Sequence, residues 1–294
     1  MNQTAMDPTR GYLSPDSKQK ISSWMRQLRH LLLCFLFFLP QGAMAFDQSH
    51  KQLTKELQKY VKTNGVLYAK WKEDRKGLDA YLDSLAKLSP EEYKAFTKLE
   101  KRSLWLNAYN ALAIKLVLDN YPIKGKLPEY PAASIRQIPN TWDAIKHSVA
   151  GREVSLYTIA HDNLRKAKDC RNHFAITPAS RGGAILQKKA FNSRSVDDQL
   201  AKLTEQFMSR PENLHCNPEE GSITVSQIFR WFPLDFMQNN GGPAPMLLPQ
   251  DDDVVRDYVM QFLPEATRQK LAGKQIKIIY APYDWTLNDA SPAN

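Results

Sequence analysis

The hydrophobic pattern of the first half of the chain is helical. Between residues 47 and 64 apolar side chains recur every three or four positions with lysines between them, which predicts an amphipathic first helix. A second helix is predicted around Leu78, and Ser89 followed by Pro90 marks the start of a third. The segment from 91 to 120 is predicted to be helical, and its second half is apolar on nearly all sides. We therefore place that part at the centre of the domain.

The second half alternates shorter helices with short apolar strands. Helices are predicted at 155–164, from Ala184 onward, and at 196–208, 228–237, 252–262 and 265–272. Strands are predicted at 174–177, 223–225 and 275–280. A long Pro-rich, polar stretch from 123 to 152 is predicted to be a loop over the core, and such loops often border binding sites. The pattern indicates an α+β fold, a helix-dominated single domain with a small, mostly antiparallel sheet.

The N-terminus has the features of a secretory signal peptide. Arg26 and Arg29 precede an apolar run at 31–39, and Ala43-Met44-Ala45 follows it. The run is about half of the roughly 20 residues that a membrane-spanning helix needs, so no stable membrane anchor is expected. We predict cleavage after Ala45, with residues 1–24 open to interpretation as an upstream mis-start. Residues 46–294 are then the single domain of an exported, periplasmic protein.

Charge and composition exclude some classes of function. The chain has a net charge of +9, and removing residues 1–45 leaves 35 basic and 29 acidic residues, a net charge of +6. The lysines are scattered over helix faces, so no nucleic-acid partner is expected. The six histidines show no metal-ligand spacing, and neither a metal nor a cofactor is predicted. Cys170 and Cys216 are candidates for a disulfide in an oxidising compartment, with two buried thiols as the alternative.

The richest candidate site lies between residues 170 and 191. Arg171 and His173 lead into the predicted strand, where they are expected on one face, and His173 is the best acid–base candidate in the chain. A turn follows, Ser180-Arg181-Gly182-Gly183, before the helix predicted from Ala184. Such a turn offers backbone N–H groups and a guanidinium to an anion. Ser180 as a nucleophile requires a nearby base, and it has no Gly-x-Ser-x-Gly elbow around it.

Four polar residues in apolar surroundings are further candidates. Asn107 and Asn110 lie on the apolar helix, where an amide needs a hydrogen-bond partner. They are expected either to staple a neighbouring loop or to direct one amide into a cleft, where it stabilises developing negative charge. Asp235 and Asp284 are expected to pair with an arginine or to cap backbone. A carboxylate that orients His173 is the alternative.

The order of four motifs resembles the domain of unknown function 547 family, in its bacterial members, over nearly all of residues 46–294. The motifs are Trp105–Leu112, His173–Ile176, Ile228–Phe236 and Tyr283–Asn288. This resemblance implies an exported protein without an assigned reaction. The cysteine and histidine pattern of the family suggests a kinship with papain-like or transglutaminase-like thiol enzymes.

The chain departs from the family pattern at its reactive positions. The family pattern has Ile-Glu-His before the His-Phe-Ala motif, then Asn-Cys-Ala-Ser, and then Gly-Cys-Pro or Ser-Cys-Pro. Here Ala160 stands at the position of the acid, and Pro178 and Gly183 stand at those of the two cysteines. The resemblance therefore implies that this protein, if it is active, is not a thiol enzyme.

Three functions are consistent with these residues. The first is binding of an anionic or amide-bearing ligand, a peptide or a cell-wall fragment, by Asn110, Arg171, Arg181, Gly182, Gly183 and Asp284. The second is a hydrolase or transferase in which His173 is the base and Ser180 or water is the nucleophile. Its oxyanion donors are the Asn107 or Asn110 amide and the backbone of Gly182 and Gly183. The third is an interaction scaffold without a small-molecule site.

Overall fold

A computed structural model describes residues 45–237 and 250–290 of the chain, and it confirms the helix-dominated α+β class. The α-helices are α1 Lys51–Tyr60, α2 Tyr68–Glu73, α3 Lys76–Lys87, α4 Pro90–Ala95, α5 Lys98–Asn120, α6 Leu156–Thr158, α7 Val196–Met208, α8 Gln227–Trp231, α9 Pro233–Met237, α10 Asp251–Met260 and α11 Glu265–Leu271. A π-helical segment, Ile159–Leu164, continues α6 into the 3-10 turn Arg165–Ala167, and further 3-10 helices span Ile135–Gln137 and Cys170–Phe174. The predicted signal peptide, apart from Ala45, lies outside the described residues.

The strands of the described residues form three small sheets. They are β1 Val61–Lys62, β2 Gly65–Val66, β3 His147–Val149, β4 Arg152–Val154, β5 Leu214–Asn217, β6 Ser222–Ser226 and β7 Lys277–Ala281. The pairs β1–β2, β3–β4 and β5–β6 are antiparallel, whereas β7 joins β6 in parallel. Strand pairing in the described residues is thus mostly antiparallel, as the hydrophobic pattern predicts, although that pattern did not reveal β5.

Helix α5 is the central helix of the domain. Thr97 and Glu100 form a capping box at its start. The Thr97 hydroxyl accepts from the Glu100 N–H at 3.2 Å, and the Glu100 carboxylate accepts from the Thr97 N–H at 2.7 Å. Every residue from Ser103 to Ile114 is buried, so the helix has no exposed face over three turns. Helices α1 and α3 pack beside it through Leu53, Leu78 and Leu85. These contacts belong to the larger of the two hydrophobic clusters formed by residues 45–237 and 250–290.

The second cluster lies between the three-stranded sheet and helices α7 to α10. Phe229 and Phe236 are fully buried in it, with ring centroids 4.5 Å apart. Phe174, at the end of the Cys170–Phe174 helix, packs against Phe236 from the other side. That 3-10 helix is thereby held against the second cluster, while the residues after it contact the first.

Two predictions for the candidate segment were wrong. Residues 174–177 do not form a strand, because Asn110 binds the Ala175 carbonyl and the Thr177 N–H that a ladder would use. No helix starts at Ala184 either, and residues 184–190 run as irregular backbone. Side chains from elsewhere supply the hydrogen-bond partners of that backbone. The Thr54 hydroxyl accepts from the Ala190 N–H, and the Asn107 amide binds both the N–H and the carbonyl of Phe191. The first helix also ends at Tyr60, earlier than predicted, since a β1–β2 hairpin follows it.

The segment from 284 to 290 returns across the domain and joins parts far apart in sequence. Its Leu287 N–H donates to the Ala133 carbonyl at 2.8 Å, and the Asn288 N–H donates to Ala179 at 3.1 Å. The Asn288 carbonyl accepts from the Val66 N–H at 2.8 Å. We call residues 284–290 the C-terminal clasp, because their backbone binds the loop at Ala133, the candidate segment at Ala179 and the β1–β2 hairpin at Val66.

Cys170 and Cys216 are not joined by a disulfide. Cys170 lies in the second cluster, where its Sγ donates to the Tyr258 hydroxyl at 3.4 Å. Burial raises the pKa of the Cys170 thiol to about 11. Cys216 is partly exposed on β5. Of the two thiols in the buried-thiol alternative, only Cys170 is buried. Within residues 45–237 and 250–290, no helix is long and apolar enough to span a membrane.

Candidate functional site

A cleft of about 450 Å³ opens between the 121–146 loop, the helices at 156–174, α8 and the C-terminal clasp. We call it the aromatic cleft, because seven aromatic side chains line it: Tyr109, Tyr130, Trp142, Trp231, Phe232, Tyr283 and Trp285. Trp231 is 41% exposed and lies 4.9 Å from the Tyr283 ring and 5.8 Å from the Trp285 ring, measured between centroids. Trp231 is the exposed ring of these three, which are tilted by 31° to 52° to one another and together form an aromatic platform.

Arg136 lies among aromatic rings in this cleft. Its guanidinium carbon is 4.8 Å from the Tyr130 centroid, 5.4 Å from that of Trp142 and 5.1 Å from that of Trp285. Its Nη2 donates to the Tyr130 hydroxyl at 2.6 Å, and within the described residues no carboxylate pairs with it. The rings hold the cation in place by cation–π attraction and leave most of its N–H donors for another acceptor.

Two histidines, an arginine and an aspartate form a connected cluster on the opposite side. His173 Nε2 lies 2.7 Å from Asp235 Oδ2. The Arg165 guanidinium donates to the same carboxylate, from Nε to Oδ2 at 2.6 Å and from Nη2 to Oδ1 at 2.8 Å. Arg165 Nη1 also lies 3.0 Å from His161 Nδ1. The His173 ring stacks on Phe232 at 4.4 Å. Both alternatives considered for Asp235 are therefore realised together, since it pairs with an arginine and orients His173.

The partners determine which atoms carry protons. Burial alone would raise the pKa of Asp235, but the hydrogen bonds from His173 and Arg165 outweigh it and lower that pKa to about 2. The carboxylate therefore accepts the proton on His173 Nε2, which leaves Nδ1 as the basic nitrogen of that ring. Burial and the Arg165 charge lower the pKa of His161. Because a guanidinium only donates, neutral His161 accepts at Nδ1 and carries its proton on Nε2.

Ser180 and the glycine turn belong to a second cleft, of about 550 Å³, which we call the glycine-turn cleft. Ser180 Oγ lies 2.7 Å from the Tyr283 hydroxyl. The N–H groups of Arg181, Gly182 and Gly183 donate to the carbonyls of Thr286, Asp284 and Ser180, respectively. Their N–H groups are thus occupied, and no helix follows the turn. The backbone anion site expected there is not present.

The two asparagines have structural partners. Asn107 Nδ2 donates to the Phe191 carbonyl at 2.8 Å and its Oδ1 accepts from the Phe191 N–H at 2.9 Å. Asn110 does the same for Ala175 and Thr177, at 3.0 and 2.8 Å. Neither amide lines either cleft. Their geometry matches the stapling alternative rather than that of an oxyanion donor.

The remaining candidates are dispersed. Arg171 is bound to the carboxylates of Asp169 and Asp197, at 2.6 and 3.0 Å, and lines neither cleft. Arg181 and Asp284 are exposed at the glycine-turn cleft, where Asp284 Oδ1 accepts from the Thr286 N–H. His173 and Ser180 open to different clefts, with Tyr283 and Gly183 lining both. The structure therefore does not bring Asn107, His173 and Ser180 together in one site.

The three positions at which the chain departs from the family pattern do meet in one place. Ala160, Pro178 and Gly183 all line the aromatic cleft. A Cβ added to Gly183 would lie 2.9 Å from the Tyr283 hydroxyl and 3.1 Å from Pro178 Cδ. The Tyr283 hydroxyl thus occupies the space that a side chain at position 183 would need.

Sequence reasoning missed most of this cleft. It identified His173 and Gly183, but it did not connect them with Arg136, His161 or Arg165. The available signal was the tryptophans of otherwise polar loops, Trp142 and Trp285, since a large aromatic residue outside the core periodicity is typical of a binding surface. The 123–152 loop, expected to border a site, supplies both Arg136 and Trp142.

Comparison with known proteins gives one family. A family model described as protein of unknown function, DUF547, matches residues 93–208. No curated protein and no solved structure matches the chain. The matched range includes Arg136, His161 and His173, whereas Asp235 and the aromatic residues 231, 232, 283 and 285 lie beyond it.

Proposed function

The chain is a member of the DUF547 family, and on that premise we propose that it is an exported binding protein whose aromatic cleft holds a carboxylate-bearing ligand. Arg136 is the observation that carries this proposal. It is a cation in a cleft, fixed by three rings and without an acidic partner among the described residues. A guanidinium in that situation is matched by a carboxylate, which takes two parallel N–H donors.

The body of the ligand is expected to be a sugar ring. The platform formed by Trp231, Tyr283 and Trp285 presents the exposed Trp231 ring, and the C–H face of a sugar ring is apolar enough to lie on that ring. His161 offers an Nε2 donor beside this platform for a ring substituent. A cell-wall fragment built on an acidic amino sugar has both features. Arg165 contributes less, because Asp235 already neutralises it.

A matched pair of sugars tests the carboxylate. N-acetylmuramic acid and N-acetylglucosamine share one ring, and only the former carries a lactyl carboxylate. Tryptophan fluorescence of the purified protein is titrated with each, and we expect the acid to bind about tenfold or more tightly, since a charge-assisted hydrogen bond contributes about 1.5–3 kcal/mol. In Arg136→Gln this preference disappears.

The control for that variant is Arg152→Gln. Arg152 also lies over an aromatic ring, that of Tyr93 at 4.9 Å, but it is exposed and remote from the aromatic cleft. Its replacement leaves the preference intact. Equal affinity for both sugars, or an unchanged preference in Arg136→Gln, contradicts the proposal. If an acidic dipeptide binds through Arg136 and neither sugar does, the ligand is a peptide and the sugar assignment is wrong.

Export rests on the basic flank, apolar run and Ala-x-Ala of residues 26–45. The full chain, expressed in a Gram-negative host, is expected in the periplasmic fraction. Removal of residues 31–39 should retain it in the cytoplasm. Periplasmic recovery of neither form, with a normal marker protein in that fraction, refutes the export prediction.

A second candidate function is hydrolysis, with His173 activating water. The 2.7 Å contact between His173 Nε2 and Asp235 favours it, because it orients the ring and leaves Nδ1 to accept a proton. Prolonged incubation with the sugar that binds, followed by mass analysis, would reveal a product. Product from the wild type and none from His173→Asn, at unchanged affinity, would establish the enzyme; intact ligand in both leaves a binding protein.

A further inference from the structure

The compact domain begins at Phe46, the first residue after the predicted cleavage point. The Phe46 ring lies 5.4 Å from the His50 ring and 6.1 Å from that of Phe96, and it packs against the larger hydrophobic cluster. Its backbone nitrogen donates to Glu92 Oε1 at 2.6 Å. The start of the domain is therefore held by both its side chain and its backbone nitrogen.

Glu92 holds that nitrogen in place of its usual local partner. It is the third residue of α4, and Ser89 Oγ accepts from its N–H at 3.1 Å, so half of a capping box is formed. In the complete motif the glutamate would turn back to the Ser89 N–H. Here the carboxylate instead reaches residue 46, across 46 positions of sequence.

We propose that Glu92 is the binding site for the new α-ammonium that leader cleavage creates on Phe46. In that step an endopeptidase of the export route adds water across the Ala45–Phe46 bond. The C–N bond breaks, the carbonyl carbon of Ala45 gains an oxygen, and the Phe46 nitrogen gains protons and a positive charge. The inference rests on the proposed export and is independent of any ligand in the aromatic cleft.

Cleavage strengthens this contact. A backbone amide offers Glu92 one neutral donor, whereas an ammonium offers three donors and a charge, and charge-assisted bonds are about twice as strong. The other titratable groups around Phe46 are Asp47, His50 and Tyr81, the last two joined by a 2.9 Å contact between His50 Nδ1 and the Tyr81 hydroxyl. Burial lowers the pKa of His50 to about 4, so His50 is uncharged at neutral pH and does not compete for Glu92.

The experiment measures the processed end directly. The full chain is expressed with its leader, purified from the periplasm, and its N-terminal residue is identified by intact mass. The Phe46 amine is then acylated with a limiting reagent at neutral pH. Because acylation requires the unprotonated amine, a pKa raised by one unit slows the reaction about tenfold. We expect labelling at least tenfold faster in Glu92→Gln than in the wild type.

Glu91→Gln is the matched control, since Glu91 is exposed beside Glu92 and should react like the wild type. Thermal unfolding verifies that all four proteins are folded, and Glu92→Asp should label more slowly than Glu92→Gln. A mature chain beginning elsewhere than Phe46 overturns the cleavage site. Equal labelling of wild type and Glu92→Gln overturns the carboxylate site while leaving export intact. A chain that is never exported defeats the export proposal instead.

Discussion

At the scale of single residues, the neighbours of a polar side chain decide whether it binds backbone groups of its own chain or keeps its donors available in a cleft. Asn107 and Asn110 lie on one helix, three residues apart, and each completes the hydrogen bonding of irregular chain. Arg136 has ring neighbours in place of acidic ones, so its donors remain available. A sequence shows residue types but not these partners, which is why the asparagines were overvalued and Arg136 was missed.

Replacing Asn107 with leucine tests its structural role. The change leaves the N–H and carbonyl of Phe191 buried without partners, which should lower the free energy of unfolding by about 2–4 kcal/mol. Ligand affinity in the aromatic cleft should be unchanged. Asn120→Leu is the control, because Asn120 is exposed at the end of α5, and it should cost under about 1 kcal/mol. Urea unfolding measures both; similar costs would argue against the stapling role.

The Asp235 carboxylate should make stability depend on acid pH. Its pKa is about 2 in the folded chain and about 3.9 when unfolded, so its stabilisation is complete above the unfolded value and is lost as the pH falls to about 2. We expect roughly 2 kcal/mol at neutral pH. In Asp235→Asn this contribution is absent at every pH, so the difference from the wild type should shrink between pH 5 and 2. A constant difference, measured by denaturant unfolding across that range, would disprove the assignment.

At the scale of elements, a small ion network anchors the 3-10 helix that carries His173. Asp169, just before the helix, pairs with both Arg102 and Arg171 at 2.6 Å, and these contacts lower its pKa to about 2 against the effect of burial. Its hydrogen bond with the Arg171 N–H also starts the helix. The geometry of His173 thus depends on charges outside both clefts.

The two acids of this network should differ sharply when neutralised. Asp169→Asn leaves the largely buried Arg102 without its closest acidic partner and should cost about 3–5 kcal/mol. Asp197 touches the same arginines but its side chain is 56% exposed, so Asp197→Asn should cost under about 1 kcal/mol. Comparison of the two unfolding midpoints is the measurement. Equal costs would mean that burial does not govern the network.

Helices in which apolar residues recur over several turns were predictable from the sequence. Segments whose backbone is hydrogen-bonded by distant side chains were not. Helix α7 was predicted with its observed ends, 196 to 208, because periodicity and packing agree there. The residues after Phe174 are as apolar as a strand, yet Asn110 withdraws their backbone from any ladder. The spacing of apolar residues indicates which side chains are buried. It does not show that the amide of a distant residue will bind the backbone of the segment.

At the scale of the whole molecule, the structure shows no disulfide between Cys170 and Cys216. Thermal unfolding should therefore show the same midpoint with and without reductant. Under native conditions an alkylating reagent should modify Cys216 well before Cys170, since burial raises the pKa of Cys170 to about 11 and shields it. Peptide mass analysis assigns the sites. A midpoint that falls with reductant would show that the two cysteines pair in solution.

The C-terminal clasp has a consequence for the order in which this protein is completed. A ribosome delivers the chain from its first residue, so the hairpin, the loop and the candidate segment all emerge before residues 284 to 290 exist. Trp285, one wall of the aromatic cleft, is made after all the other residues that line this cleft. The cleft therefore closes only once residues 284 to 290 have left the ribosome, and a shorter nascent chain lacks one of its walls.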